Sequence, residues 1–133
     1  MKCLHIITPV KDSIDSTLET VKAIMESDIL VPFTYTVYND FSTEENTHRL
    51  EEAARQWNFR LVNLSDLTDH PSPNYLLVLQ TAQKEAIEAD AGLLIVESDV
   101  IVKKNTLQSL YNGALQQRES VRIQHLQCLL GYI

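Results

Sequence analysis

The chain has 133 residues, 44% of them apolar and 22% charged, which is the size and balance of one globular domain and excludes a disordered or fibrous chain. With 18 acidic against 11 basic residues the net charge is −7, so long-range attraction to nucleic acid or to an anionic membrane is excluded as a basis for function. No apolar run approaches the roughly 20 residues that cross a bilayer. The first residues lack the apolar core of a signal peptide, and Cys3 and Cys128 make neither a disulfide framework nor a zinc spacing. A cytoplasmic protein is expected.

Cys3 to Thr8 is a short apolar run that predicts a buried first strand. Asp12-Ser13 then opens a helix whose apolar positions, Ile14, Leu18, Val21 and Met25, form one stripe. After Pro32, the aromatic and β-branched run Phe33 to Tyr38 predicts a second strand, which ends in the polar turn Asn39-Asp40-Phe41-Ser42. Ser42-Thr43-Glu44-Glu45 has the form of a capping box with Ser42 as N-cap, and the helix behind it presents Leu50, Ala53, Ala54 and Trp57. Phe59 to Leu64 predicts a third strand and Ser65 to Pro73 a polar loop. Residues 74–89 predict a third helix with Tyr75, Leu79, Ala82 and Ala86 turned inward. The most apolar strand, Ala91 to Val96, stops at Glu97-Ser98-Asp99; residues 105–117 then predict a fourth helix carrying Leu107, Leu110, Tyr111 and Ala114. The stretch 121–133 is apolar without a regular period. If Leu126, Leu129, Leu130, Tyr132 and Ile133 stay exposed, they offer a patch for a homo-oligomer.

A strand-helix unit repeated in this way predicts an α/β fold, a mainly parallel sheet with helices on both faces, in a single domain. Ligands of such sheets bind beyond the carboxyl ends of the strands, and carboxylates gather there. In an extended chain Glu97 and Asp99, two apart, point to one side. They either converge on a hard cation such as magnesium or manganese or simply end the strand. Such a metal would supply the positive charge that an acidic protein lacks for holding a diphosphate. Asp40 either accepts hydrogen bonds from a base or ribose or makes an Asx-turn. Ser42 caps a helix whose N-terminus suits an anion. Thr8-Pro9-Val10 rigidifies the turn after the first strand and offers a wall to a base. Gln80 and Lys84 share a helix face, with Lys84 either reaching phosphate or standing as a surface lysine. There is no Gly-rich phosphate loop, and His5, His48, His70 and His125 show no ligand spacing.

Three elements in order, Ile7-Thr8-Pro9-Val10, Asn39-Asp40-Phe41-Ser42 and Glu97-Ser98-Asp99, resemble the N-terminal part of a family 2 glycosyltransferase over about residues 1–117. They match a Thr-Pro turn, an acidic (N/D)-D-x-S element and a D-x-D motif with Glu first. The resemblance implies the Rossmann-like half of a GT-A glycosyltransferase fold and a UDP-sugar-like donor. It places Thr8, Pro9, Val10, Asp40, Ser42, Gln80, Lys84 and Ser98 around that donor, and Glu97 with Asp99 on a divalent metal, Mg or Mn. The acceptor would be an unknown hydroxyl, of a glycan or a lipid-linked saccharide. Val100 stands where many relatives carry a second Asp. Family enzymes continue for a hundred or more residues, which form the acceptor site and supply the base, so a fragment or truncated chain covering the donor half is expected. Two other readings remain: an inactive binding or assembly module of the same fold, and a receiver-type α/β domain, for which only Asp12 and Asp66 roughly serve as the acids.

Overall fold

The structure, a computed structural model, describes residues 1–116; the apolar stretch 121–133 and the self-association expected of it lie outside the described residues. Four strands, β1 (Cys3–Val10), β2 (Phe33–Asn39), β3 (Arg60–Asn63) and β4 (Ala91–Ile95), form one sheet in the order β3-β2-β1-β4, and every pairing is parallel. Between and after them run α1 (Ile14–Met25), α2 (Glu44–Trp57), α3 (Tyr75–Glu88) and α4 (Thr106–Gln116). β1 lies between β2 and β4 and is buried from Leu4 to Thr8, which is why it reads as a continuous apolar run rather than an alternating one.

α1 and α2 pack against each other, whereas α3 packs on β1 and β4. Right-handed crossovers put the first two helices on one face and α3 on the other, so the expected parallel sheet with helices on both faces is what forms. On α1 the buried stripe is Ile14, Thr17, Thr20, Val21 and Ile24, with Leu18 and Met25 only half-buried. The two threonines can go inside because their hydroxyls are satisfied: Thr17 Oγ1 donates to the Ser13 carbonyl at 2.9 Å and Thr20 Oγ1 to the Ser98 carbonyl at 3.0 Å. α3 buries Val78, Ala82 and Ala86; Tyr75, expected inside, is 43% exposed at the start of the helix.

The strand order fixes where a ligand belongs. The chain steps outward from β1 to β2 to β3, then returns across the sheet to lay β4 on the far side of β1. The order therefore reverses between β1 and β4, and the crevice beyond their carboxyl ends is the binding place in sheets of this kind. Receiver domains have the order 2-1-3-4-5, so the receiver reading is set aside. The return segment begins with a single 3-10 turn, Leu64–Asp66, and ends at Asn74.

Candidate functional site

A cleft of about 210 Å3 opens at this switch point. Pro9, Val10 and Lys11 bring β1 to its edge, Asp40 enters from the end of β2, and Glu97 follows β4. Ser72 and Pro73 of the return segment, with Tyr75 and Val78 of α3, make the opposite wall. Four of the predicted donor and metal residues, Pro9, Val10, Asp40 and Glu97, are thus brought together.

The turns beside the cleft carry unusual backbone. Asp12, Ser13 and Phe41 have φ of 56°, 46° and 61°, a region that side-chain-bearing residues rarely adopt. Such conformations persist where surrounding bonds over-determine them, and here the bonds are visible. Asp12 Oδ1 accepts from the Thr43 N–H at 2.8 Å and from Asn46 Nδ2 at 3.0 Å, and the Asp12 N–H donates to Ser42 Oγ at 2.7 Å. These bonds hold the Asp12 carboxyl below the usual carboxylate range, the Thr43 N–H contributing most and Asn46 next. Asn39 Nδ2 donates to Thr47 Oγ1 at 2.8 Å and to Asn63 Oδ1 at 2.9 Å, while Asn39 Oδ1 accepts from the Ser42 N–H at 3.2 Å. Asp40 accepts three hydrogen bonds from Ser72 and Asn74.

This wiring corrects the capping box. The N-cap of α2 is Thr43, whose Oγ1 accepts from the Asn46 N–H at 3.2 Å. Ser42 is engaged instead by the Asp12 N–H, and the anion at the N-terminus of α2 is the Asp12 carboxylate itself.

Glu97-Ser98-Asp99 also differs from expectation in its backbone. β4 ends at Ile95, and the Val100 N–H donates to the Glu97 carbonyl at 3.2 Å, so the motif is a turn and the rule for residues two apart in an extended strand does not govern it. Glu97 lines the cleft, whereas Asp99 is exposed and outside its lining. Thr20 holds the Ser98 carbonyl. Among the described residues no three His, Cys, Asp or Glu side chains converge as a metal site, and neither Glu97 nor Asp99 is ion-paired. Two exposed, unpaired carboxylates do fit a hard cation of the kind that takes one or two carboxylates and completes its shell with phosphate oxygens and water.

The other predicted residues lie elsewhere. Thr8 has no exposed surface, and its Oγ1 accepts from Tyr35 Oη at 2.8 Å. Gln80 and Lys84 sit with Ile87 and Glu88 in a separate open depression on α3. A depression of about 720 Å3 on the outside of α2 is lined by Glu44, Glu45 and Glu51 with no Lys or Arg among the described residues, a surface that repels a diphosphate.

Lys11 and Tyr75 are cleft residues that sequence reasoning passed over. Lys11 Nζ donates to the Phe41 carbonyl and lies 3.8 Å from Asp12 Oδ2, and among the described residues it is the one cation in the cleft lining. Its signal was its place, directly after the Thr8-Pro9-Val10 turn. The Tyr75 phenol donates to Glu97 Oε1 at 3.4 Å. Burial, then the neighbouring Glu97 charge, push that phenol up, which keeps it a donor.

No protein-family model and no curated protein sequence matches the chain. Solved structures do. S. aureus TarS is similar with a TM-score of 0.64 at 23% identity, over 88% of this chain and 20% of that one. The mannosyltransferase PcManGT from Pyrobaculum calidifontis, in complex with GDP-Man and Mn2+, gives 0.63 at 18% identity, over 83% and 31%. Glucosyl-3-phosphoglycerate synthase from Mycobacterium tuberculosis, in complex with UDP, gives 0.57 at 18%, over 89% and 41%. The chain therefore spans well under half the length of these proteins. At these identities the likeness establishes a shared fold.

Proposed function

We propose that this chain, which has the fold of the GT-A glycosyltransferases, is the donor-holding half of a glycosyltransferase. It would bind a nucleotide-diphosphate sugar of the UDP-sugar kind in the cleft between β1 and β4 and present it to an acceptor hydroxyl, of a glycan or a lipid-linked saccharide. One observation carries the reading: the cleft at the strand switch point is lined by Pro9, Val10, Pro73 and Val78 and by the Glu97 carboxylate, with Asp99 exposed two residues on in the same turn. A TarS fragment similar to this chain was solved with UDP-GlcNAc, which supports the choice of ligand class.

The residues divide the work by chemistry. Pro9, Val10, Pro73 and Val78 give flat apolar surface for a base, and Lys11 offers an ammonium to phosphate. Glu97 and Asp99 would hold a divalent ion, manganese or magnesium, which when bound offsets the charge of the diphosphate and eases its departure. The Tyr75 phenol fixes the Glu97 carboxylate from the cleft wall. Pairing a cation with a diphosphate at this place would let an acidic protein bind an anion without a basic patch.

Calorimetric titration with UDP, GDP and uridine, each with and without manganese, tests the reading. The expected result is UDP binding that weakens about tenfold or more when manganese is withheld, with uridine much weaker than UDP. Absence of any nucleotide binding would leave the inactive assembly module as the better description.

A further inference from the structure

We propose that Asp40 is a positioning residue: its carboxylate ties the return segment to the end of β2 and so builds the far wall of the cleft, rather than reading the nucleobase. This inference rests on the donor-cleft reading.

The geometry is specific. Asp40 is 7% exposed. Its Oδ2 accepts from Ser72 Oγ at 2.9 Å and from the Asn74 N–H at 2.8 Å, and its Oδ1 accepts from Asn74 Nδ2 at 2.9 Å. A carboxylate has about four lone-pair sites, so most of its capacity is spent within the chain. Asn74 is the N-cap of α3 and makes no side-chain cap bond of its own. Asp40 supplies what that terminus lacks, an acceptor for the N-cap N–H and a negative charge at the positive end of the helix. The second Asn74 amide hydrogen goes to the His70 carbonyl at 2.9 Å, so the side chain that Asp40 grips is fixed from both sides.

The topology explains why the two segments meet. The chain must travel from β3 back past β2 to reach the far side of β1, and its path crosses the rim where Asp40 stands. The next residue after Asn74 is Tyr75, whose phenol reaches Glu97. Asp40 therefore acts on the β4 side of the cleft through Asn74 and Tyr75. The consequence is that Asp40 governs how well a nucleotide is held but not which base is preferred.

The test compares the full chain with Asp40→Asn, Ser72→Ala and the double variant. Three quantities are read: hydrogen exchange at the Asn74 amide, the chemical shifts of the Tyr75 ring, and affinity for manganese-UDP and manganese-GDP. Asp40→Asn sets an NH2 group against at least one donor and removes the charge that strengthens all three bonds. The expected results are exchange at Asn74 faster by about tenfold or more and UDP and GDP affinities falling by one common factor of similar size. The Tyr75 ring resonances should also shift as the phenol leaves Glu97, a change that a general loss of stability in a folded variant would not produce. Ser72→Ala, which removes one neutral bond, should show the same pattern to a smaller extent, and the double variant should be no worse than Asp40→Asn alone. The proposal is overturned if Asn74 protection and the Tyr75 ring resonances are unchanged in Asp40→Asn. A shifted preference between UDP and GDP with Ser72→Ala silent would equally overturn it, because that is the signature of direct base contact. Should Asp40→Asn fail to fold, Ser72→Ala decides by the same readouts. If the wild-type chain binds neither nucleotide, the donor reading fails, while exchange at Asn74 and the Tyr75 ring resonances still decide what Asp40 does.

Discussion

At the ends of β1 and β2 the polar side chains are consumed: Asp12, Asn39 and Asp40 together take part in eight side-chain hydrogen bonds to neighbouring turns and helix termini. At the end of β4 the same residue type is left free. Among the described residues Glu97 receives only a 3.4 Å bond from Tyr75, and Asp99 stands in solvent. An acid whose oxygens are spent inside the chain holds backbone, including strained turns such as Asp12-Ser13 and Phe41. An acid left unpaired at a binding crevice is available to a cation. The two halves of one rim thus separate acids spent on scaffold from acids left open for the proposed ligand, although their composition is alike.

The contrast can be broken by mutation. Asn39→Ala, which orphans the Ser42 N–H and removes both links to Thr47 and Asn63, should lower unfolding free energy by about 2 kcal/mol in urea denaturation. Thr43→Ala removes the N-cap of α2 and should cost about 1 kcal/mol in the same experiment. Glu97→Gln and Asp99→Asn should stay within about 0.5 kcal/mol of wild type. A destabilisation of Asp99→Asn as large as that of Asn39→Ala would erase the distinction.

The smallest effect is a pH dependence confined to acid. The Asp12 carboxyl is held below its ordinary value of 3.8 by bonds from Thr43 and then Asn46. A depressed folded pKa contributes stability that is full above the unfolded value and is lost as pH falls through the folded one. The difference in melting temperature between wild type and Asp12→Asn should therefore be flat from neutral pH down to about 5 and shrink below that. A difference that grows in acid would mean that the bonds to Thr43 and Asn46 do not favour the charged form.

Much of the fold was legible because strands and helices announce themselves locally. The apolar run of β1, the β-branched run of β2 and the abrupt end of β4 each lie within two residues of the observed elements. What escaped depended on partners far away in sequence. Ser42 and Thr43 are equally good caps on paper, and only the Asp12 N–H, 30 residues off, decides that Ser42 is otherwise engaged. Thr17 and Thr20 read as polar positions until Ser13 and Ser98 satisfy them. The Glu97–Val100 turn has no glycine or proline to signal it, so the motif reads as a strand that merely stops. The rule that ligands bind beyond strand ends leads to Pro9, Val10, Asp40 and Glu97, which the structure brings to one cleft. Tyr75 was assigned to the core because its spacing fits the stripe, although it begins the helix at the rim.

The central claim is that Glu97 and Asp99 are the free half of the rim and hold a divalent ion against a nucleotide diphosphate. Manganese binding can be followed by electron paramagnetic resonance, with and without UDP, in wild type and in the Glu97→Gln/Asp99→Asn double variant. The account predicts that UDP tightens manganese binding to the wild-type chain and that the double variant, equally stable, loses this tightening. Equal manganese binding in both proteins, in the presence of UDP, would contradict it.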